Sequence, residues 1–385
     1  MQELSFDQKL EKATKVVCKQ GMFPFPINKT TKAIIKTVVD EREDELDLIC
    51  AFTDRPSQTM VQLRESSGFP EERIEALTSS LAQKGLIFNP PNSANQVIYR
   101  LLPLMNTGIL EYTFMKPFVG DRKAEKLAEL FENLLEEMKD EVQNNYDQYL
   151  PLFEASPPAE RTVPIRTSEE GTPISIIPID QKVEMGDEYV LPSQSVKEII
   201  QKFDDIAVGH CHCRQRQKIL GNPMAANTPT FNCFTFGKSA RHTVAQGFAK
   251  QVTKEQAFAI LEEAQAAGLV HKAYHPGSDE TKLEVSLCNC DKHCCELLAT
   301  WRKGALPLIN ATYHLAKVDP DLCVGCGICE EKCPTEAIKV CDTLISEVRR
   351  DYCFGCGVCA HFCPVGAISL KEGLRKVYIP PPKMR

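Results

Sequence analysis

The chain has 385 residues, a formal net charge of −7 and 18 cysteines. Its length suggests two or three domains, and its 43% hydrophobic and 25% charged residues are ordinary for a soluble globular protein. The negative charge excludes a generic nucleic-acid binder. No apolar run approaches the roughly 20 residues of a membrane helix, and the polar start MQELSFDQKLEKATK lacks a signal-peptide core. A cytoplasmic protein is expected.

Residues 1–26 read as a polar N-terminal arm, a helix followed by an extended stretch ending in GMFPFP. Residues 27–103 read as three helices and a β-hairpin, with helix stops at Gly68 and Gly85 and Pro70 as a first helical residue. LIFN and QVIYRLL flank PPNSAN as the hairpin. This order resembles a winged helix-turn-helix domain. It carries nine Lys/Arg against eleven Asp/Glu, and its candidate recognition helix begins with Glu71 and Glu72. DNA phosphates would be repelled, so protein docking is the expected use.

Residues 104–153 read as one long amphipathic helical segment with Leu127, Leu130, Phe131, Leu134, Leu135 and Met138 at helical spacing. Residues 154–193 are proline-rich and read as a linker or strap. Residues 194–310 read as a Cys-rich α/β domain. In it, Ser195 with Glu198 and Thr253 with Gln256 form capping pairs ahead of helices. Residues 311–373 hold the densest cysteines, and 374–385 read as an extended tail. The fold class expected is α+β multidomain: an N-terminal winged-helix-like helical region, a central Cys-rich α/β unit and a C-terminal cysteine-dense domain.

The cysteines decide the chemistry. Nine lie between Cys323 and Cys363, eight of them in tight runs, and a disulfide framework would need an oxidising compartment. DLCVGCGICEEKCPTEAI (321–338) repeats as DYCFGCGVCAHFCPVGAI (351–368) at an offset of 30 residues. Each copy contains C-x-x-C-x-x-C-x-x-x-C-P, whereas zinc favours two C-x-x-C pairs. Glycines 325, 327, 355 and 357 let backbone N–H groups turn toward cluster sulfurs.

The segment resembles the bacterial dicluster ferredoxin family at every ligand position. That resemblance implies a C-terminal ferredoxin-like two-[4Fe–4S] domain, with one cluster on Cys323, Cys326, Cys329 and Cys363, and another on Cys353, Cys356, Cys359 and Cys333.

A weaker constellation lies upstream: Cys211, Cys213 and Cys233, then Cys288, Cys290, Cys294 and Cys295, within HCHCRQRQ, FNCFTFG and CNCDKHCC. Buried apolar cysteines, a third iron–sulfur cluster, and zinc or a redox dithiol are all open readings. A metal site would use Cys211, Cys213 and Cys233, closed by one of Cys290, Cys294 or Cys295. Arg214 and Arg216 would offset its negative charge, while His210, His212 and His293 are weaker candidate ligands. The layout resembles a group of anaerobe iron–sulfur proteins with a winged-helix-like region, a C-x-C-R segment, a later Cys-rich segment and a terminal dicluster ferredoxin. It departs from their pattern in having no cysteine between Cys213 and Cys233. Cys18, Cys50 and Cys341 belong to no motif.

GKS at 237–239 is not a phosphate loop, because position 232 is Asn232 where glycine is required. No catalytic residue is indicated. The function expected is iron–sulfur electron transfer through two [4Fe–4S] clusters, as a subunit or partner of an anaerobic oxidoreductase. A redox-sensing winged-helix regulator and an enzyme with an open Cys-ligated iron site are the alternatives.

Overall fold

A computed structural model describes residues 4–21, 25–92, 94–158, 160–178, 195–225, 228–279 and 282–384. The chain forms two compact units. The first comprises 1–137, 209–223 and 238–251; the second comprises 138–208, 224–237 and 252–385.

The first unit is mainly helical. Its first helix, Phe6–Cys18, starts at a Ser5/Gln8 capping box, which satisfies two otherwise orphan backbone N–H groups. It buries Leu10, Ala13, Val16 and Val17, and Lys9 reaches Asp47 at 2.9 Å. These residues therefore form part of the core, a correction to the expected arm. Met22, Phe23 and Pro24 of GMFPFP lie outside the described residues.

Helices Lys29–Val39, Glu43–Cys50, Met60–Ser67 and Glu71–Gln83 follow. A small antiparallel sheet has the order Ser57–Gln58, Tyr99–Leu101, Ile87–Phe88. The hairpin was legible in the sequence; the short strand 57–58 was not. Pro70 is the N-cap, and Glu71 is the first helical residue. Glu45 is fully buried beneath this layer, held by Lys84 Nζ at 2.8 Å and Ser80 Oγ at 2.6 Å. The expected single helix over 104–153 is three: Ile109–Phe114, Arg122–Asn144 and Tyr146–Ala155, with a break at Asn145.

The second unit is built on a mixed sheet. Its strands run in the order Ile176–Ile177, Ile368–Ile379, Leu308–Val318, Glu160–Val163, Val270–Tyr274, Ser286–Cys290, Phe231–Phe236, Ile206–His210. Two strands come from the segment expected as a strap, and Glu160–Val163 is a buried interior strand. Residues 179–194 of that segment lie outside the described residues. The expected 194–310 domain is divided, since 209–223 and 238–251 belong to the first unit. The cysteine-dense segment is not separate either. Its flanking strands Leu308–Val318 and Ile368–Ile379 pair along their length and join the sheet through Glu160–Val163. Half of the expected tail, 374–379, lies within that pairing.

Alternation decides what each face of the sheet does. One face presents Phe234, Phe236, Leu287, Ala273 and Val163 to the helices Val196–Gln201 and Lys254–Ala266. Full burial of each large apolar side chain there contributes about 1.5–3 kcal/mol. The other face, one residue out of phase, carries Glu160, Lys272, Tyr274, Cys288 and Cys290 and is also largely buried.

Candidate metal centres

The two halves of the repeat fold alike. Gly327 and Gly357 lead into short helices, Ile328–Lys332 and Val358–His361. Gly325 and Gly355 take φ of +66° and +62°, the left-handed region that disfavours a Cβ. The turn after each fourth cysteine places an N–H on its sulfur. Ala337 N donates to Cys333 Sγ at 3.2 Å, and Ala367 N to Cys363 Sγ at 3.3 Å.

Two cavities result. The first is lined by Cys323, Cys326, Cys329 and Cys363, with Val324 and Val365 at its rim. The second is lined by Cys333, Cys353, Cys356 and Cys359, with Phe354 beside them. Each cavity collects three cysteines from one run and the cysteine-proline residue of the other. Among the described residues, no three His, Cys, Asp or Glu side chains converge as ligands of a single metal ion. The thiol sets surround volumes instead, which suits a multinuclear cluster.

The cavities differ in environment. Cys326 is exposed, and Leu322, Val324, Leu344 and Val365 are solvent-exposed apolar residues. At the second cavity Cys333, Cys353 and Cys356 are buried. Burial pushes the Cys356 thiol up to about 12, so a thiolate there needs a bound cation to compensate it. At the first cavity, backbone N–H groups of Ser346 and Gly325 hold Cys323 below the usual thiol range. The Ser346 hydroxyl lies 3.2 Å from Cys329 Sγ. At the equivalent position of the other half stands Ala316. Eight thiols, N–H donors directed at sulfur and cavities with apolar walls fit two iron–sulfur cubanes.

Residues 316–370 match the 4Fe-4S dicluster domain family. This dicluster domain implies two [4Fe–4S] clusters. A stretch of 52 residues is also 38% identical to Protein Pixie of Drosophila melanogaster, covering 13% of this chain and 8% of that protein. The chain thus spans under a tenth of that relative's length. No solved structure matches the chain.

The upstream cysteines fall in both units. Cys211 is the N-cap of the helix His212–Ile219 in the first unit. A hydrogen bond from Cys213, helped by Arg214, holds its thiol down at about 5 against the opposing effect of burial. Arg216 is engaged by Glu132 at 2.7 Å.

Cys233, Cys288, Cys290, Cys294 and Cys295 lie in the second unit. Cys290 and Cys295 lie in one buried cluster with Cys288 packed against it, and the neighbouring Cys288 and Cys295 thiols together with burial push the Cys290 thiol well up. The register of 286–287 with 234–235, continued, sets Cys233 opposite Cys288; Asn289 Nδ2 donating to Asn232 O at 2.6 Å agrees. Cys294 takes part through its N–H, which donates to Asp291 Oδ1 at 2.7 Å. The N–H of His293 bonds the same oxygen.

Sequence reasoning left Cys288 out of its candidate ligands and missed Lys272, Glu160, Tyr274, Ser346 and Phe354. The alternation in S-L-C-N-C could have placed Cys288 and Cys290 on one strand face. The buried Lys272–Glu160 ion pair joins residues 112 apart and has no local signature.

Proposed function

We propose that the protein is an iron–sulfur electron carrier with crossed ligand sets. Cys323, Cys326, Cys329 and Cys363 hold one [4Fe–4S] cluster, and Cys353, Cys356, Cys359 and Cys333 hold the other. The observation that carries this reading is the composition of the two cavities, each taking its fourth cysteine from the opposite run.

When bound, the two clusters would supply one-electron chemistry at low potential. The chain's own residues fix the thiolates, direct N–H and O–H groups at sulfur and exclude water. The exposed apolar rim of the first cavity makes it the end at which electrons enter or leave, on contact with a redox partner. The buried second cavity is the inner station. The partner expected is a subunit or substrate protein of an anaerobic oxidoreductase.

In the first unit, the helices Glu43–Cys50, Met60–Ser67 and Glu71–Gln83 with the strand order 57–58, 99–101, 87–88 support a winged-helix-like arrangement. Its acidic balance favours protein docking over DNA. Among the described residues no helix is long and apolar enough to cross a membrane. The test is EPR of protein purified without oxygen and reduced with dithionite. The reading requires two interacting [4Fe–4S]⁺ signals; a single signal, or none after reconstitution with iron and sulfide, refutes it.

A further inference from the structure

The polar face of the second unit's sheet holds a cysteine group that the two cubane sites do not use. Cys288 and Cys290 point the same way from the strand Ser286–Cys290, and Cys295 caps the next helix, Glu296–Arg302. Cys290 and Cys295 share one buried cluster, and Cys288 packs against it. Cys290 and Cys295 are buried, and Cys288 is half-buried.

This group adjoins the inner cluster site. Cys290 and Cys295 belong to the same contiguous buried cluster as Phe354 and Cys356, which line the second cavity. Arg302 ties the two places together: its guanidinium donates to Lys292 O at 2.6 Å, beside the cysteines, and to Pro334 O at 2.8 Å, on the cavity wall. Lys272, paired in register with Cys288, lies with its ammonium 5.0 Å from the Phe354 ring.

Thiols packed within an apolar cluster, rather than set around a cavity as the eight repeat cysteines are, suit a disulfide more than a cubane, whose ligand sulfurs stand apart around a bulky core. Strand rise separates the Cα atoms of Cys288 and Cys290 by about 6.6 Å, the long limit for a disulfide. Cys295 approaches from a different element and is free of that spacing.

We propose that Cys290 and Cys295 form a two-electron dithiol–disulfide centre in series with the two clusters, an inference that rests on the dicluster reading above. Two reduced [4Fe–4S]⁺ clusters each give one electron; with two protons from solvent the S–S bond breaks, two thiols form and both clusters return to the 2+ state. A low-potential cubane is a stronger reductant than a protein dithiol, so this direction is downhill. The bond re-forms by exchange with a small disulfide, which enters at Cys288 and leaves as two thiols. Lys272 offsets a thiolate formed at Cys290 or Cys295 during exchange. The centre thereby couples one-electron carriers to two-electron thiol chemistry.

The test uses the full chain purified without oxygen. It is oxidised with glutathione disulfide or photoreduced, then denatured, alkylated and mapped by mass spectrometry. A linked Cys290–Cys295 peptide in the oxidised sample, absent after photoreduction, is the expected result. About eight irons per chain and about four electrons taken up on full reduction accompany it, falling to about two electrons in Cys295→Ala with eight irons kept. Both cysteines alkylated in every state, or about twelve irons with a third cubane signal lost in Cys295→Ala, overturns the proposal. Fewer than eight irons in the native protein would count against the dicluster reading instead.

Discussion

A Cβ built on Gly325 would stand 2.3 Å from the carbonyl oxygen of Leu344, and thirty residues on, a Cβ on Gly355 would stand 2.1 Å from the carbonyl oxygen of His314. His314 and Leu344 are themselves thirty apart. Each ligand loop therefore packs on backbone belonging to the other half, and the pseudo-twofold repeat is closed by these two contacts. Gly325→Ala is expected to cost the first cluster, leaving about four irons, and Gly355→Ala the second. Gly327→Ala, with open space around it, should cost only the left-handed strain of about 1–2 kcal/mol and keep both clusters. Iron analysis of the three variants checks this; equal retention in all three would contradict the packing argument.

Ser346 and Ala316 break the symmetry. A hydroxyl 3.2 Å from Cys329 Sγ donates to the thiolate and stabilises the reduced cluster. Ser346→Ala should make the first cluster's potential more negative, and Ala316→Ser should raise the second. Redox titration followed by EPR measures both, and an unmoved potential in Ser346→Ala would show that the hydroxyl does not donate.

Lys272 is fully buried and paired with Glu160, whose other oxygen accepts from Tyr274 at 2.7 Å. Burial opposes the ammonium, but Glu160 and the nearby thiols outweigh it and hold Lys272 above the usual lysine range. Lys272→Met leaves a buried carboxylate unpaired and should cost about 3–5 kcal/mol. Adding Glu160→Leu should recover much of that loss. Denaturant unfolding of the single and double variants gives the comparison; additive losses would mean the pair is not coupled.

His271 is fully buried. Asn289 spends its amide N–H on Asn232 O, so its oxygen accepts from His271 Nδ1 at 2.6 Å, which fixes the neutral tautomer. Burial holds His271 down at about 4, below an unfolded value near 6.5. The unfolded state thus binds the extra proton first. Stability is complete above about pH 6.5 and falls by up to roughly 3 kcal/mol toward pH 4. In His271→Gln that part of the pH slope should vanish. An unchanged slope in thermal unfolding across this window would assign the loss to other groups.

The cubane chemistry was legible because its ligands are local: three thiols in seven residues, a proline after the fourth and a repeat at fixed offset. The capping residues Ser195 and Thr253 likewise mark helix starts by side-chain chemistry. What was hidden depends on distant pairing. Glu160–Val163 sits in a proline-rich stretch and becomes an interior strand only through Asn310–Ala311 on one side and His271–Ala273 on the other. The polar sheet face escaped notice for the same reason, since Lys272, Cys288 and Glu160 meet only when three strands are in register. The division of 194–310 between two units follows contacts that no local pattern encodes.

The crossed ligand sets are tested most directly by iron content in two double variants purified without oxygen. Cys326→Ala/Cys363→Ala removes two ligands of one cluster and should keep about four irons, whereas Cys326→Ala/Cys333→Ala disables both clusters and should keep almost none. The reverse pattern, with iron retained only in Cys326→Ala/Cys333→Ala, would show that each run closes its own cluster and would contradict the account.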